Sequence, residues 1–141
     1  MKKMYFIIIY VLLLSIGAIN SANKSITKLE AYNIVISGID STTLDSTEIF
    51  VSKQILPANT VIEIGDKSIE SPDYGSWMFF INKYPLSNWG HSCNYMFIGS
   101  NNGEVDIIES NFYPTKPSLA DMDKIKSSVV TFDESVFVKP M

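Results

Sequence analysis

The stretch Ser76-Trp77-Met78-Phe79-Phe80-Ile81-Asn82-Lys83 is the longest hydrophobic run after the N-terminus, and it decides the fold class. Side chains alternate along a strand, so the run would present one apolar face containing Trp77 and a second apolar face containing Phe80. A strand that is apolar on both faces lies inside a sheet and is covered on both sides. The stretch therefore predicts a central strand.

A second strand follows at Cys93–Gly99, where apolar residues again occupy both alternating positions. The polar run Ser100-Asn101-Asn102-Gly103 comes next, and Asn and Gly tolerate the positive φ angles that tight turns need. Glu104–Glu109 then returns with Val and Ile. The pattern predicts a β-hairpin in which Cys93–Gly99 pairs with Glu104–Glu109.

A helix is predicted on the N-terminal side of these strands, at about residues 28–37. Thr27 and Glu30 have the spacing of a capping box, in which each residue's side chain accepts the other's backbone N–H. Gly38 is the residue type that commonly follows a helix end. Apolar residues recur at helical intervals between them, at Leu29, Tyr32 and Ile36.

The remaining segments complete an α+β chain. Thr47–Leu56 and Thr60–Ile64 are predicted as two strands joined by a turn at Pro57-Ala58-Asn59. Ser118 is predicted to start a short helix that runs to about Lys126, and Val129–Val138 is predicted as a final extended segment. The predicted architecture is an N-terminal helix packed on a mainly antiparallel sheet of about five to six strands, with a short helix near the C-terminus.

The N-terminus has the layout of a secretory signal peptide. Met1-Lys2-Lys3 is basic, Met4–Ile19 is almost entirely apolar, and the small residues Ser21 and Ala22 follow. The prediction is a signal peptide at 1–22 and a single domain at 23–141, secreted or extracytoplasmic, in the periplasm or at the cell surface. The alternative is an uncleaved anchor, the one route to membrane contact, although 16 helical residues span about 24 Å of a roughly 30 Å hydrocarbon core.

The charge of the chain excludes a nucleic-acid partner. All 11 basic residues are Lys, and without Lys2 and Lys3 nine Lys face 15 carboxylates, a formal charge of −6. Such a surface repels phosphates, and it has no Arg for bidentate phosphate contacts.

The sequence contains one cysteine, Cys93, and one histidine, His91. A thiolate beside an imidazole makes a nucleophile, but two residues apart on a strand the Cβ atoms would lie roughly 6–7 Å from each other. A buried structural role, a redox role and a metal role stay open for this pair. Zinc needs three or four ligands, and the chain has no Gly-rich phosphate loop, so no metal, cofactor or catalytic residue is predicted.

Trp89 lies between Asn88 and Gly90 in a predicted loop, where packing and binding are equally compatible with an aromatic residue. The aromatic residues on the predicted strands are assigned to the core. The candidate binding residues are therefore Trp89, His91 and Cys93.

The segment Tyr95–Val105 resembles the strand-turn-strand end of PepSY-type and related propeptide domains. The helix at Lys28–Ser37, with Glu30-Ala31 and Ile34-Val35, is similar to the helix that opens such domains. The resemblance implies a small, exported, non-catalytic domain that binds or restrains a protease.

The leading hypothesis is thus an exported, non-enzymatic interaction module, such as a propeptide-like protease inhibitor or chaperone. A small exported enzyme that uses Cys93 with His91, or a structural cell-surface protein, is the alternative.

Overall fold

The computed structural model describes residues 24–87 and 90–126. These residues form an α+β fold, which confirms the predicted class. The helices are α1 (Lys28–Ser37), α2 (Ser41–Leu44) and α3 (Lys116–Ala120). The strands are β1 (Glu48–Ser52), β2 (Val61–Ile64), β3 (Lys67–Glu70), β4 (Ser76–Asn82), β5 (Cys93–Gly99), β6 (Val105–Ser110) and β7 (Met122–Lys126).

Five strands form an antiparallel sheet in the order β6-β5-β4-β1-β7, and β2 pairs with β3 in a second, two-stranded sheet. The position of β4 in the middle of the larger sheet confirms the predicted central strand. Its neighbour β5 pairs with β4 on one side and with β6 on the other. The two longest apolar runs of the described chain, β4 and β5, are therefore both interior strands of the sheet, as is β1 between β4 and β7.

The two faces of the large sheet carry separate apolar cores, as the alternation predicted. On one face, Ala31, Tyr32 and Val35 of α1 pack on Phe79 and Ile81, with Trp77 partly buried beside them. The opposite face is covered by the β2–β3 hairpin and by the chain around Phe112 and Leu119; its buried residues include Met78, Phe80, Cys93, Tyr95 and Phe97.

Both predicted local signals around α1 and the β5–β6 hairpin are confirmed. The Thr27 side chain accepts the Glu30 N–H at 3.2 Å, and Glu30 Oε2 accepts the Thr27 N–H at 2.9 Å, so the capping box is complete. In the hairpin, Gly103 N–H donates to the Gly99 carbonyl at 2.9 Å. Gly103 has φ +69°, which explains why glycine closes the turn.

The two strands predicted at Thr47–Leu56 and Thr60–Ile64 form as β1 and β2, but they belong to different sheets. β1 lies between β4 and β7, whereas β2 pairs with β3, a strand that the sequence interpretation missed. Lys67–Glu70 is mostly exposed and lacks the apolar alternation that indicates a strand. The two-residue turn Gly65-Asp66, with φ +58° at Gly65, connects β2 to β3.

The predicted helix from Ser118 to about Lys126 is also wrong in its bounds. The helix begins at Lys116, after Thr115, and ends at Ala120; Met122–Lys126 is a strand that pairs with β1. The open edge of β1 supplies backbone partners there, and this tertiary pairing overrides local helix preference. The predicted extended segment Val129–Val138 and the predicted signal peptide lie outside the described residues. None of the helices in the described ranges is long and apolar enough to cross a membrane.

Candidate interaction groove

A groove of about 570 Å³ opens at the end of the large sheet where β1 begins and where β4 and β7 end. Two loops form its walls. Asp45–Thr47 lead from α2 into β1, and Lys83–Ser87 leave the end of β4, with a turn in which Ser87 N–H donates to the Tyr84 carbonyl at 3.0 Å. The groove is the space between these two loops, because one enters β1 from α2 and the other leaves the end of β4.

Apolar side chains are exposed at the groove. Leu86 has 95% of its surface exposed and Tyr84 has 57%, and Pro85 lies between them in the chain. Leu86 is the most exposed large hydrophobic side chain among the residues that the structure describes. An exposed leucine and tyrosine at the mouth of a concave surface are typical of a binding site.

The groove also carries both signs of charge. Its lining includes the carboxylates of Asp45 and Glu48 and the ammonium groups of Lys83 and Lys124. Lys124 Nζ forms an ion pair with Glu48 and lies 5.6 Å from the centre of the Phe50 ring. This pair fixes a charged rim beside the apolar loop.

A polar cluster holds the Tyr84 end of that loop. His91 Nε2 lies 2.8 Å from Asn82 Oδ1 and 2.6 Å from the Tyr113 hydroxyl, and the His91 and Tyr84 rings meet edge to face at 5.8 Å. Asn82 Oδ1 also accepts the backbone N–H of Tyr84 at 3.0 Å. Asn82 Oδ1 therefore contacts both the Tyr84 backbone N–H and His91 Nε2.

The cluster therefore holds the groove loop at Tyr84, through its backbone N–H and its ring. Asn82 is the last residue of β4 and is 4% exposed, while Tyr113 comes from the segment that follows β6. Burial raises the pKa of the Tyr113 hydroxyl, which keeps it protonated as a neutral hydrogen-bonding group. His91 thus reaches the groove loop through its ring contact with Tyr84.

Cys93 lies in the core and away from the groove surface. It is 1% exposed, and Sγ lies 3.1 Å from the carbonyl oxygen of Ser110 and 3.4 Å from that of Phe112, either of which can accept its S–H. Burial raises the pKa of the thiol to about 11, so it is protonated at neutral pH. A buried, protonated thiol is neither a nucleophile nor a contact for a macromolecule.

The three residues predicted for binding are therefore in different environments. His91 contacts the groove loop, Cys93 packs beside Tyr95 in the core, and Trp89 lies outside the described residues. Within residues 24–87 and 90–126, no cluster of three His, Cys, Asp or Glu side chains could hold a metal ion.

Sequence reasoning missed Tyr84, Leu86, Asn82 and Tyr113. A signal was present for Leu86, since an apolar residue beside Pro85 in a polar loop has no strand or helix to pack into. No local signal joins Asn82 to Tyr113, because they are far apart in the chain and meet only through the fold.

No protein-family model, no curated protein and no solved structure matches this chain. The resemblance to PepSY-type domains stays a prediction.

Proposed function

We propose that this protein is an exported, non-enzymatic interaction module that binds a partner protein through the groove beside Tyr84 and Leu86. The observation that carries the proposal is Leu86, which is 95% exposed at the mouth of the groove. Exposing a leucine to water costs free energy that burial against a partner recovers, by roughly 1.5–3 kcal/mol for a fully buried side chain.

The chemistry of the groove favours a peptide segment of a folded partner. A volume of about 570 Å³ accommodates a few side chains, with Tyr84 and Leu86 as apolar contacts. The Glu48–Lys124 pair offers both a hydrogen-bond acceptor and a donor at the rim. Apolar contacts surrounded by a polar rim are the usual anatomy of a protein interface. The propeptide resemblance makes a protease the first partner class to test, with the protein as its inhibitor or chaperone.

The two alternatives receive less support from the described residues. An enzyme that uses Cys93 with His91 needs a thiolate, and burial of Cys93 favours the protonated thiol. A purely structural cell-surface protein gives no reason for Leu86 to be exposed beside a groove. Both alternatives remain testable with the variants below.

The experiment places a photo-crosslinking amino acid at Leu86 of the full chain in its own host, and at Val61 as the matched control. Val61 is 64% exposed on β2 and does not line the groove. A protein that crosslinks at position 86 and not at 61 is then purified and titrated. Leu86→Ser is expected to weaken binding about tenfold, or about 1.4 kcal/mol, and Val61→Ser to change it less than twofold.

Equal crosslinking at both positions, or equal affinity of Leu86→Ser and Val61→Ser, would show that the groove is not the binding site. If the purified partner is a protease, its turnover with the bound chain separates the roles. Lower turnover supports an inhibitor, whereas a higher folded yield of the protease supports a chaperone.

Export has its own test. The mass of the exported chain should correspond to a first residue near Ala22 or Asn23. An intact Met1–Ile19 segment in the membrane fraction would instead make the protein an anchored module.

A further inference from the structure

The β6 strand (Val105–Ser110) forms one edge of the large sheet, and no strand in the described part of the chain pairs with its outer side. Gly99 N–H donates to the Glu104 carbonyl at 2.8 Å, and Phe97 is the partner of Asp106 two residues further on. Because hydrogen-bonded pairs alternate in an antiparallel ladder, Asp106 and Ile108 direct their backbone groups toward β5. The N–H and C=O groups of Val105, Ile107 and Glu109 consequently point outward.

The outward-directed positions also carry exposed apolar side chains. Val105 is 41% exposed and Ile107 is 53% exposed. They are the cross-strand partners of Ile98 and Met96, which belong to the core beneath α1. The apolar surface beneath α1 thus continues outward to the sheet edge, where it is left open. A long edge strand with exposed apolar side chains is a template for an additional strand.

On the opposite face of the sheet, the charged side chains beside β6 are all carboxylates. A cleft of about 340 Å³ beside β6 is lined by four carboxylates, and no Lys is among the described residues that line it. The carboxylates are those of Glu70, Asp73, Glu104 and Asp106. Tyr74 also lines the cleft, and its hydroxyl donates to Asp106 Oδ2. The cleft therefore complements ammonium or guanidinium groups.

We propose that the outer edge of β6 receives an extended, basic segment of a partner protein as a sixth strand of the sheet. Alternate residues of that segment pack on Val105 and Ile107, and the residues between them place Lys or Arg side chains at Glu104 and Asp106. A second copy of β6 is disfavoured because it would bring two acidic edges together without a counter-charge. The groove includes residues of β7, at the opposite edge of the sheet from β6. Binding at the β6 edge is therefore separate from binding at the groove and does not depend on it.

The probe is a capped seven-residue peptide of alternating Lys and Val, titrated into the full chain. We expect hydrogen exchange at the amides of Val105, Ile107 and Glu109 to slow at least tenfold at saturation, because the added strand bonds these outward groups. A peptide of alternating Glu and Val, and a Lys–Val peptide methylated on its pairing backbone nitrogens, should each bind at least tenfold more weakly. The Lys–Val peptide should also bind more weakly as salt rises.

Protein variants test the same contacts. The double variant Glu104→Gln/Asp106→Asn should lose about tenfold in affinity for the Lys–Val peptide, since each exposed ion pair contributes up to about fivefold. Glu63→Gln, an exposed carboxylate on β2, is the matched control and should bind like wild type. Ile107→Pro removes an outward N–H and should abolish binding of the Lys–Val peptide. If thermal melting shows that this variant does not fold, Ile107→Thr takes its place. Ile107→Thr removes part of the apolar contact and should weaken peptide binding by a smaller factor.

Three results would overturn the inference. The first is unchanged exchange at the three outward amides with saturating Lys–Val peptide. The second is equal affinity for the Glu–Val peptide. The third is slow exchange at these amides without peptide, which would mean that the edge is already covered. Protection that rises with protein concentration would identify a second copy as the cover, and protection that does not rise would identify other residues of this chain. Leu86→Ser should leave peptide binding unchanged, so failure here and failure of the groove proposal are distinguishable.

Discussion

The indole Nε1 of Trp77 donates a hydrogen bond of 2.9 Å to the carbonyl oxygen of Ile26. This bond ties the central strand β4 to the residue immediately before Thr27, the N-cap of α1. Lys28, in the first turn of the same helix, places Nζ 5.4 Å from the centre of the Trp77 ring. One side chain therefore links the start of the helix to the middle of the sheet.

Trp77→Ala should destabilise the domain by about 3 kcal/mol, at the lower end for buried aromatic residues because Trp77 is only partly buried. Trp77→Phe keeps a ring in place and loses the hydrogen bond, so it should cost about 1 kcal/mol. Urea unfolding of the two variants and wild type measures both changes. If Trp77→Ala unfolds at the same urea concentration as wild type, the contact with α1 contributes nothing to stability.

Cys93→Ala should cost about 1–2 kcal/mol, less than the loss of a Leu-sized side chain, because only one sulfur's contacts disappear. In the folded chain the thiol should react slowly with an aromatic disulfide reagent at pH 8, and quickly in urea, since burial raises its pKa to about 11. Rapid labelling of the folded protein, together with a hydrolytic activity that Cys93→Ala abolishes, would restore the enzyme hypothesis.

The same thiol makes stability depend on alkaline pH. A free cysteine has a pKa of about 8.5, so between about pH 9 and pH 11 the unfolded chain loses a proton that folded Cys93 keeps. The unfolded state binds fewer protons in this window, and the free energy of unfolding falls as pH rises. Burial raises the pKa of Tyr95 as well, which acts in the same direction. Cys93→Ala should make the decline shallower, and an unchanged slope would contradict this assignment.

Gly65→Ala should destabilise the domain by about 2 kcal/mol or more. Gly65 has φ +58°, and a Cβ there would lie 2.7 Å from Cδ1 of Phe112. Gly38→Ala is the matched control, because its φ is −91° and the nearest atom to its Cβ would be 3.5 Å away. Thermal melting should show Gly38→Ala near wild type and Gly65→Ala well below it. Equal melting temperatures would mean that the β2–β3 turn rearranges without cost.

Acid should weaken the start of α1. The ion pair and hydrogen bond with Lys24, followed by the backbone hydrogen bond from Thr27, lower the pKa of Glu30 to about 2. The folded value lies below the unfolded value near 4.5, so the contribution of Glu30 is present above about pH 4.5 and is lost as pH falls toward 2. Glu30→Gln should remove this part of the acid dependence, and Glu63→Gln should retain it. Denaturant titrations between pH 5 and pH 2 measure the difference.

Local patterns correctly predicted the parts of the fold whose partners are near in sequence. The α1 helix has the predicted bounds because its capping box spans only Thr27 to Glu30. The β5–β6 hairpin was predictable because a four-residue turn fixes the pairing of the strands that it joins. The central place of β4 followed from apolar residues on both of its faces, since such a strand cannot expose either face to water.

The sequence by itself thus determined the α+β class, the helix, the hairpin and the central strand, because these depend on side-chain periodicity and turn chemistry. The β2–β3 hairpin is also local, with paired residues 3 to 9 positions apart, and it was missed because Lys67–Glu70 lacks apolar alternation. Only the tertiary structure decided that Met122–Lys126 is a strand beside β1 and that Asn82 and Tyr113 meet at His91. The β1–β7 pairs join residues 70 to 78 positions apart, and the two His91 contacts join residues 9 and 22 positions apart. The free energy of these contacts depends on which backbone edges and surfaces the rest of the fold leaves open, and no local pattern carries that information.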